Sequence, residues 1–205
     1  MIYQSIADIY AANDTVRRQL AARVETLSDA QQTFRPAPDA WSIAEIMEHL
    51  SIIEQSMVRL IGMLLNKAES APAGSSSAQA SHDAHAADAN NNNATVARPF
   101  KPFSLDAYVD AIKDKKLDAP EQVRPGGQVA LADSLANLQR SRAAVEGFRP
   151  RLEAADLSVA TYPHPAFGEL DAAQWLAFIG HHEGRHLRQI ERLMEAPEFA
   201  GKNGS

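Results

Sequence analysis

Cysteine is absent from this 205-residue chain, which excludes disulfides, thiolate metal ligands and cysteine nucleophiles. Any bound metal must be held by His, Asp or Glu. Long apolar runs are also missing: the longest near the middle, Leu60 to Leu65, stops at Asn66, far short of the ~20 residues that cross a bilayer. No membrane span is expected. Positive charge is in deficit, with 20 Lys and Arg against 26 Asp and Glu and a formal charge of −6, so no overall cationic field draws in a phosphate backbone. Nucleic acid is not expected as a partner. The opening residues MIYQSIADIY lack a basic segment and already show helical spacing, which argues against a secretory signal and for a cytoplasmic protein. Apolar and polar residues nowhere alternate over a useful strand length.

What is present is helical. Ile2, Ile6, Ile9, Tyr10, Val16, Leu20, Val24 and Leu27 recur at spacings of three and four for most of their length, predicting one long amphipathic helix ending near Leu27. Ser42 and Glu45 form a capping box, and Trp41 with Ile46 fits the hydrophobic staple around it. A second helix starts there and runs through Leu50, Ile53, Met57, Leu60 and Leu64. Leu131, Leu135, Leu138, Val145 and Phe148 mark a third, stopped before Pro150. A Pro-rich connection with Pro163 and Pro165 follows. Asp171 and Gln174 repeat the capping arrangement, Leu170 and Trp175 the staple, and a fourth helix continues to about Glu195.

Between the second and third helices, Ala68 to Ala97 is almost entirely Ala, Ser, Asn, Asp, Gly and His, with Val96 its only branched aliphatic residue. Such a composition cannot offset the entropy of ordering, so 68–97 is expected to be a flexible insertion within one domain spanning 1–205. The fold class predicted is all-α, a four-helix bundle with one long connection.

Seven histidines are sorted by this map. His82 and His85 fall in the insertion and read as solvated loop residues; His164, between Pro163 and Pro165, reads as a turn residue near a pocket mouth. His49 lies on the apolar stripe of helix two. His182 and His186 lie on that of helix four, four residues apart, close enough along one face for both rings to meet a single ion. His181 is about 100° round from His182 and peripheral. One inward histidine is most simply a hydrogen-bonded core residue, but three, two of them at ligand spacing, favour a metal because buried neutral imidazoles need partners. Aligning the two helices in parallel from their caps leaves offsets of ~6 and ~12 Å, which a stagger of about two turns would remove.

Residues 182–186 read His-Glu-Gly-Arg-His and match the H-E-x-x-H pattern of zinc peptidases, with Glu183 in the general-base position. The extended pattern fails, since Gln189 and Arg192 stand where its Gly and third His would be. An all-helical bundle also lacks a sheet edge on which to hold a peptide.

Three segments together carry a resemblance: Trp41-Ser42-Ile43-Ala44-Glu45-Ile46-Met47-Glu48-His49-Leu50, His164-Pro165-Ala166-Phe167-Gly168-Glu169-Leu170, and His182-Glu183-Gly184-Arg185-His186-Leu187-Arg188-Gln189-Ile190. In order and spacing the chain resembles the DinB-like (DinB/YfiT) superfamily over most of its length outside 68–97. The resemblance implies a four-helix bundle with a divalent ion, often zinc or nickel, on one His of the second helix and two of the fourth, matching His49, His182 and His186. It implies open positions on the metal and, in members with assigned activity, thiol S-transfer with a low-molecular-weight thiol cosubstrate, or metal-dependent hydrolysis or isomerisation of small molecules. Homodimers are common among such proteins. An ion on three neutral imidazoles keeps its full charge and lowers the pKa of a bound water or thiol. Glu183, Glu48 and Glu45 are then candidate bases or carboxylates that orient ligands, against the plainer reading of solvated helix faces.

Overall fold

The computed structural model describes residues 1–71, 100–106 and 119–201. Helix α1 spans Ile6–Val24, opened by Ser5, whose hydroxyl accepts from the Asp8 amide at 3.2 Å. Residues before the cap leave the helix: Ile2 is exposed, and Tyr3 pairs with Phe103 as an isolated antiparallel bridge. Leu27 lies beyond the other end, where Ser28 and Gln31 cap a one-turn helix α2, Asp29–Gln32.

Helix α3, Ile43–Ser70, starts at the expected box: the Ser42 amide donates to Glu45 Oε2 at 2.9 Å and the Glu45 amide to Ser42 Oγ at 3.3 Å. It outruns its predicted end because its last turn has partners. Ala68 packs on the core and Glu69 takes a two-pronged bond from Arg151 at 2.7 and 2.8 Å. The folded part therefore includes the first residues of the segment read as an insertion; 72–97 of that segment lies outside the described residues, as do His82 and His85.

Helix α4 is Leu131–Glu146, and Gly147 closes it. The helix ends before Pro150 as expected, and Pro150 itself occupies the first turn of a further short helix α5, Arg149–Ala154, where its missing N–H has no helical partner to lose. The connection expected to carry no strand folds into a hairpin of β1, Thr161–His164, and β2, Gly168–Asp171, with Tyr162 opposite Leu170 and His164 opposite Gly168. Period-two reasoning missed it because each strand is four residues long and one contains a proline. Both strands are edges, so the N–H that Pro163 lacks is not required. Gly168, at φ +70°, makes the return. Asp171 then caps α6, Ala172–Met194, through a box with Gln174, and α7, Pro197–Ala200, follows.

The buried side chains fall into two clusters, and these fix the direction of every helix. One joins the start of α1 (Ile6, Ile9, Tyr10), the second half of α3 (Met57, Ile61, Leu64, Leu65), the end of α4 (Val145) and the start of α6 (Leu176, Ile179). The other joins the end of α1 (Leu20, Val24), the start of α3 (Ile43, Ile46, Leu50), the start of α4 (Leu131, Leu138) and the end of α6 (Leu187, Ile190, Leu193). Thus α1 and α6 run one way and α3 and α4 the other. Two consecutive parallel helices demand a crossover as long as the bundle, and the chain between Ser70 and Leu131 supplies it. Leu105 of this crossover joins the first cluster, while Val123, Gly126 and Gly127 reach the opposite end beside His49 and Glu48. Among the described residues, no helix is long and apolar enough to cross a membrane.

Candidate metal centre

Three histidines meet between α3 and α6. The ring of His49 lies 5.2 Å from that of His182 and 5.0 Å from that of His186, and the two α6 rings are 4.6 Å apart. One ligating nitrogen from each falls within 4.8 Å of the other two. The antiparallel course of α3 and α6 explains how they meet. His49 is in the second turn from the start of α3 and His186 just over two turns from the end of α6, so the antiparallel register aligns them. The two-turn stagger demanded by a parallel alignment is therefore not needed.

Hydrogen bonds orient two of the rings. His49 Nδ1 faces the Val123 carbonyl at 2.7 Å; a carbonyl only accepts, so Nδ1 carries the proton and Nε2 keeps its lone pair. His186 Nδ1 faces Gln189 Oε1 at 2.9 Å with the same consequence. His182, the most accessible of the three, makes no hydrogen bond to a described residue. Burial lowers the pKa of all three: His49 is held down by desolvation and then by the Arg185 charge, His182 is driven well below its ordinary value by burial and its two neighbours, and His186 is pushed down to about 3. At neutral pH all are uncharged, with lone pairs available. A cluster of uncharged imidazoles, two of them with Nδ1 already committed, suits a divalent transition metal and fits poorly as a purely structural core.

The surroundings are aromatic. Trp41 stands 5.0 Å from the His49 ring, and Phe178, 5.9 Å from His182, also meets His164 at 4.6 Å. His164 ends β1 and stacks on Phe167 at 4.3 Å, so the hairpin brings the second quoted segment up to the other two. His181 faces elsewhere, with Nε2 3.3 Å from the Tyr3 hydroxyl.

The carboxylates separate from this centre. Glu48 accepts from the amides of Gly126 and Gly127 at 2.9 and 2.8 Å, pinning the crossover next to the carbonyl that holds His49. Glu45 serves the cap and accepts from Arg35 at 2.5 Å. Glu183 is not brought together with the imidazoles. Its carboxylate takes a bond from Arg17 Nε at 2.6 Å, and the same guanidinium donates to Glu54 at 2.5 Å and to the Leu138 carbonyl at 2.9 Å. One α1 side chain thereby ties α3, α4 and α6 together. Burial raises the pKa of both carboxyls against the downward pull of Arg17. This network went unread in the sequence, yet its signal was there: Arg17, Glu54 and Glu183 each sit inside an apolar stripe, as in Met47, Leu50, Glu54, Met57, Ile61.

Comparisons with known proteins agree with this architecture. The chain is 29% identical over 191 residues to the uncharacterized protein YuaE of Bacillus subtilis (strain 168), covering 87% of this chain and 96% of that one. A solved structure titled "Crystal structure of TT2238, a four-helix bundle protein" superposes with a TM-score of 0.55 at 20% identity, covering 92% of this chain and 99% of that chain, and supports the fold. The model of the DinB superfamily matches residues 12–190, which take in all three histidines, and the chain belongs to that superfamily.

Proposed function

We propose that the protein is a metal-dependent enzyme in which His49, His182 and His186 hold one divalent transition metal, zinc or nickel, and that the metal activates a low-molecular-weight thiol or a water molecule for S-transfer to, or hydrolysis of, a small-molecule substrate. The observation that carries this reading is the convergence of three uncharged imidazoles, two with Nδ1 engaged and Nε2 free. Bound there, the metal would supply a nucleophile at neutral pH by lowering the pKa of its ligand. His182 keeps partial exposure, which favours an open side over a closed structural site. The ion pair of Glu183 with Arg17 counts against the peptidase reading, because a general base must be free to take a proton from water. We place the reaction in the cytoplasm, and the working form as a homodimer following the family resemblance.

The test is metal addition to chelator-stripped protein. A metal that binds only the folded state, at a hundred times its dissociation constant, adds ~2.7 kcal/mol, which for this chain length raises Tm by ~5 to 11 °C. The rise should vanish in His49→Ala and His182→Ala and persist in His82→Ala and His85→Ala. A midpoint indifferent to zinc and nickel overturns the metal, and a loaded protein inert in a screen of thiols with electrophiles and of hydrolysable esters and amides overturns the enzyme.

A further inference from the structure

Six of the described arginines are tied to acidic partners. Arg17, Arg23, Arg35, Arg142, Arg149 and Arg151 each pair with a carboxylate. Arg185 differs. It lies between two ligand histidines in sequence and, like the exposed Arg188 and Arg192, makes no hydrogen bond or ion pair with any described residue, but unlike them it is half-buried. On α6 it stands three residues past His182 and one before His186, about 60° round the helix from the first, so it borders the three-histidine cluster, and in keeping with that position its charge lowers the pKa of His49, His182 and His186. Arg188 and Arg192, three and seven residues on, add to the positive field and depress Arg185 itself, after burial.

A cation beside a site for a divalent ion is unfavourable unless something negative joins them. Three neutral ligands leave the metal its full charge, and Arg185 adds another, with no described carboxylate to offset either. Resting on the metal reading above, we propose that Arg185 is the substrate-recognition group of the site, and that the ligand is a small molecule with a metal-binding atom at one end and a carboxylate at the other. The carboxylate suits the planar guanidinium fork, which offers two parallel N–H donors. His164 supplies a second donor nearby. Its Nδ1 accepts from the Ala166 amide at 3.1 Å, so Nε2 carries the proton, the opposite tautomer to that of His49 and His186. Both His164 and His182 pack on the Phe178 ring, at 4.6 and 5.9 Å.

The experiment uses cobalt(II)-loaded protein, whose visible spectrum reports ligands entering the metal's open positions, titrated with 3-mercaptopropionate and with uncharged 2-mercaptoethanol. The carboxylated thiol is expected to bind about tenfold tighter, the discrimination typical of one good charged hydrogen bond. That preference should fall to near unity in Arg185→Gln, survive in part in Arg185→Lys, and remain intact in Arg188→Gln. Equal affinities in the parent protein, or a preference that survives Arg185→Gln, overturn the inference and leave the metal reading standing. Absence of His49-dependent cobalt bands overturns the metal reading, and this inference with it.

Discussion

Helices α3 and α6 bury two polar clusters about a turn apart, and they solve the same problem in opposite ways. The Arg17–Glu54–Glu183 cluster carries charge and consumes it internally: every strong donor meets an acceptor, and four helices are joined. The His49–His182–His186 cluster carries no charge at neutral pH, and two of its rings spend their protons on Val123 and Gln189 while keeping lone pairs. Saturated polar groups hold a fold together; unsaturated ones gathered at one point can take a ligand. Apolar periodicity cannot separate these cases, because both clusters occupy stripe positions. Accounting for partners does.

The largest effect expected is from breaking the saturated cluster. Arg17→Met strands the buried carboxyl groups of Glu54 and Glu183 and should cost ~3 to 5 kcal/mol, lowering Tm by ~6 to 20 °C in thermal melts. Adding Glu54→Gln and Glu183→Gln should recover most of that loss. Zinc should still bind the recovered triple variant through its three histidines; loss of binding there would show that the two clusters are one.

Acidity sharpens the contrast, since the clusters respond to pH with opposite sign. His186 stays neutral in the folded protein down to about 3, whereas in the unfolded chain it protonates near 6.5, so its stabilisation is present above 6.5 and is lost as pH falls toward 3. Glu54, pushed up to about 8 from an ordinary 4.5, takes up its proton first in the folded state and gains stability as pH falls from 8 to 4.5. Urea titrations of metal-free protein should show His186→Gln flattening the acid side by up to ~1.4 kcal/mol per pH unit. Glu54→Gln should instead remove the gain below pH 8. An unchanged acid slope in His186→Gln would mean that the ring is already charged or solvated.

The smallest effect tests the boundary of the folded part. Replacing residues 72–97 by a short Gly/Ser linker should change stability by little more than the ~0.6 kcal/mol per doubling that loop closure costs. Extending the deletion back through Ala68 and Glu69 should cost more, because those residues close the end of α3 against the core and Arg151.

Much of the helical layout was legible locally. Capping boxes at Ser42 and Asp171 involve residues three apart, and inward histidines follow from a period of 3.6, so both can be read without knowing where any other helix lies. The hairpin was not legible because its strands are shorter than the window in which alternation shows, and the short helix begun at Pro150 was missed because the same fixed φ that ends one helix can open the next. Glu183 had a motif's spacing but not its surroundings. Its actual partner, Arg17, lies 166 residues away in sequence, and no local pattern names it.

By itself, then, the sequence determined that four helices form, where two of them begin, that any metal must rest on nitrogen or oxygen, and that His49, His182 and His186 face inward. Tertiary structure alone decided that α3 and α6 run antiparallel, which levels the three rings, and that the crossover brings the Val123 carbonyl to His49. It also decided that Arg17 pairs with Glu183 while no described residue pairs with Arg185. The physical reason is one of range. Helix caps and periodicity arise from forces between residues three or four apart, whereas hydrogen-bond saturation and burial depend on which distant segments share a core.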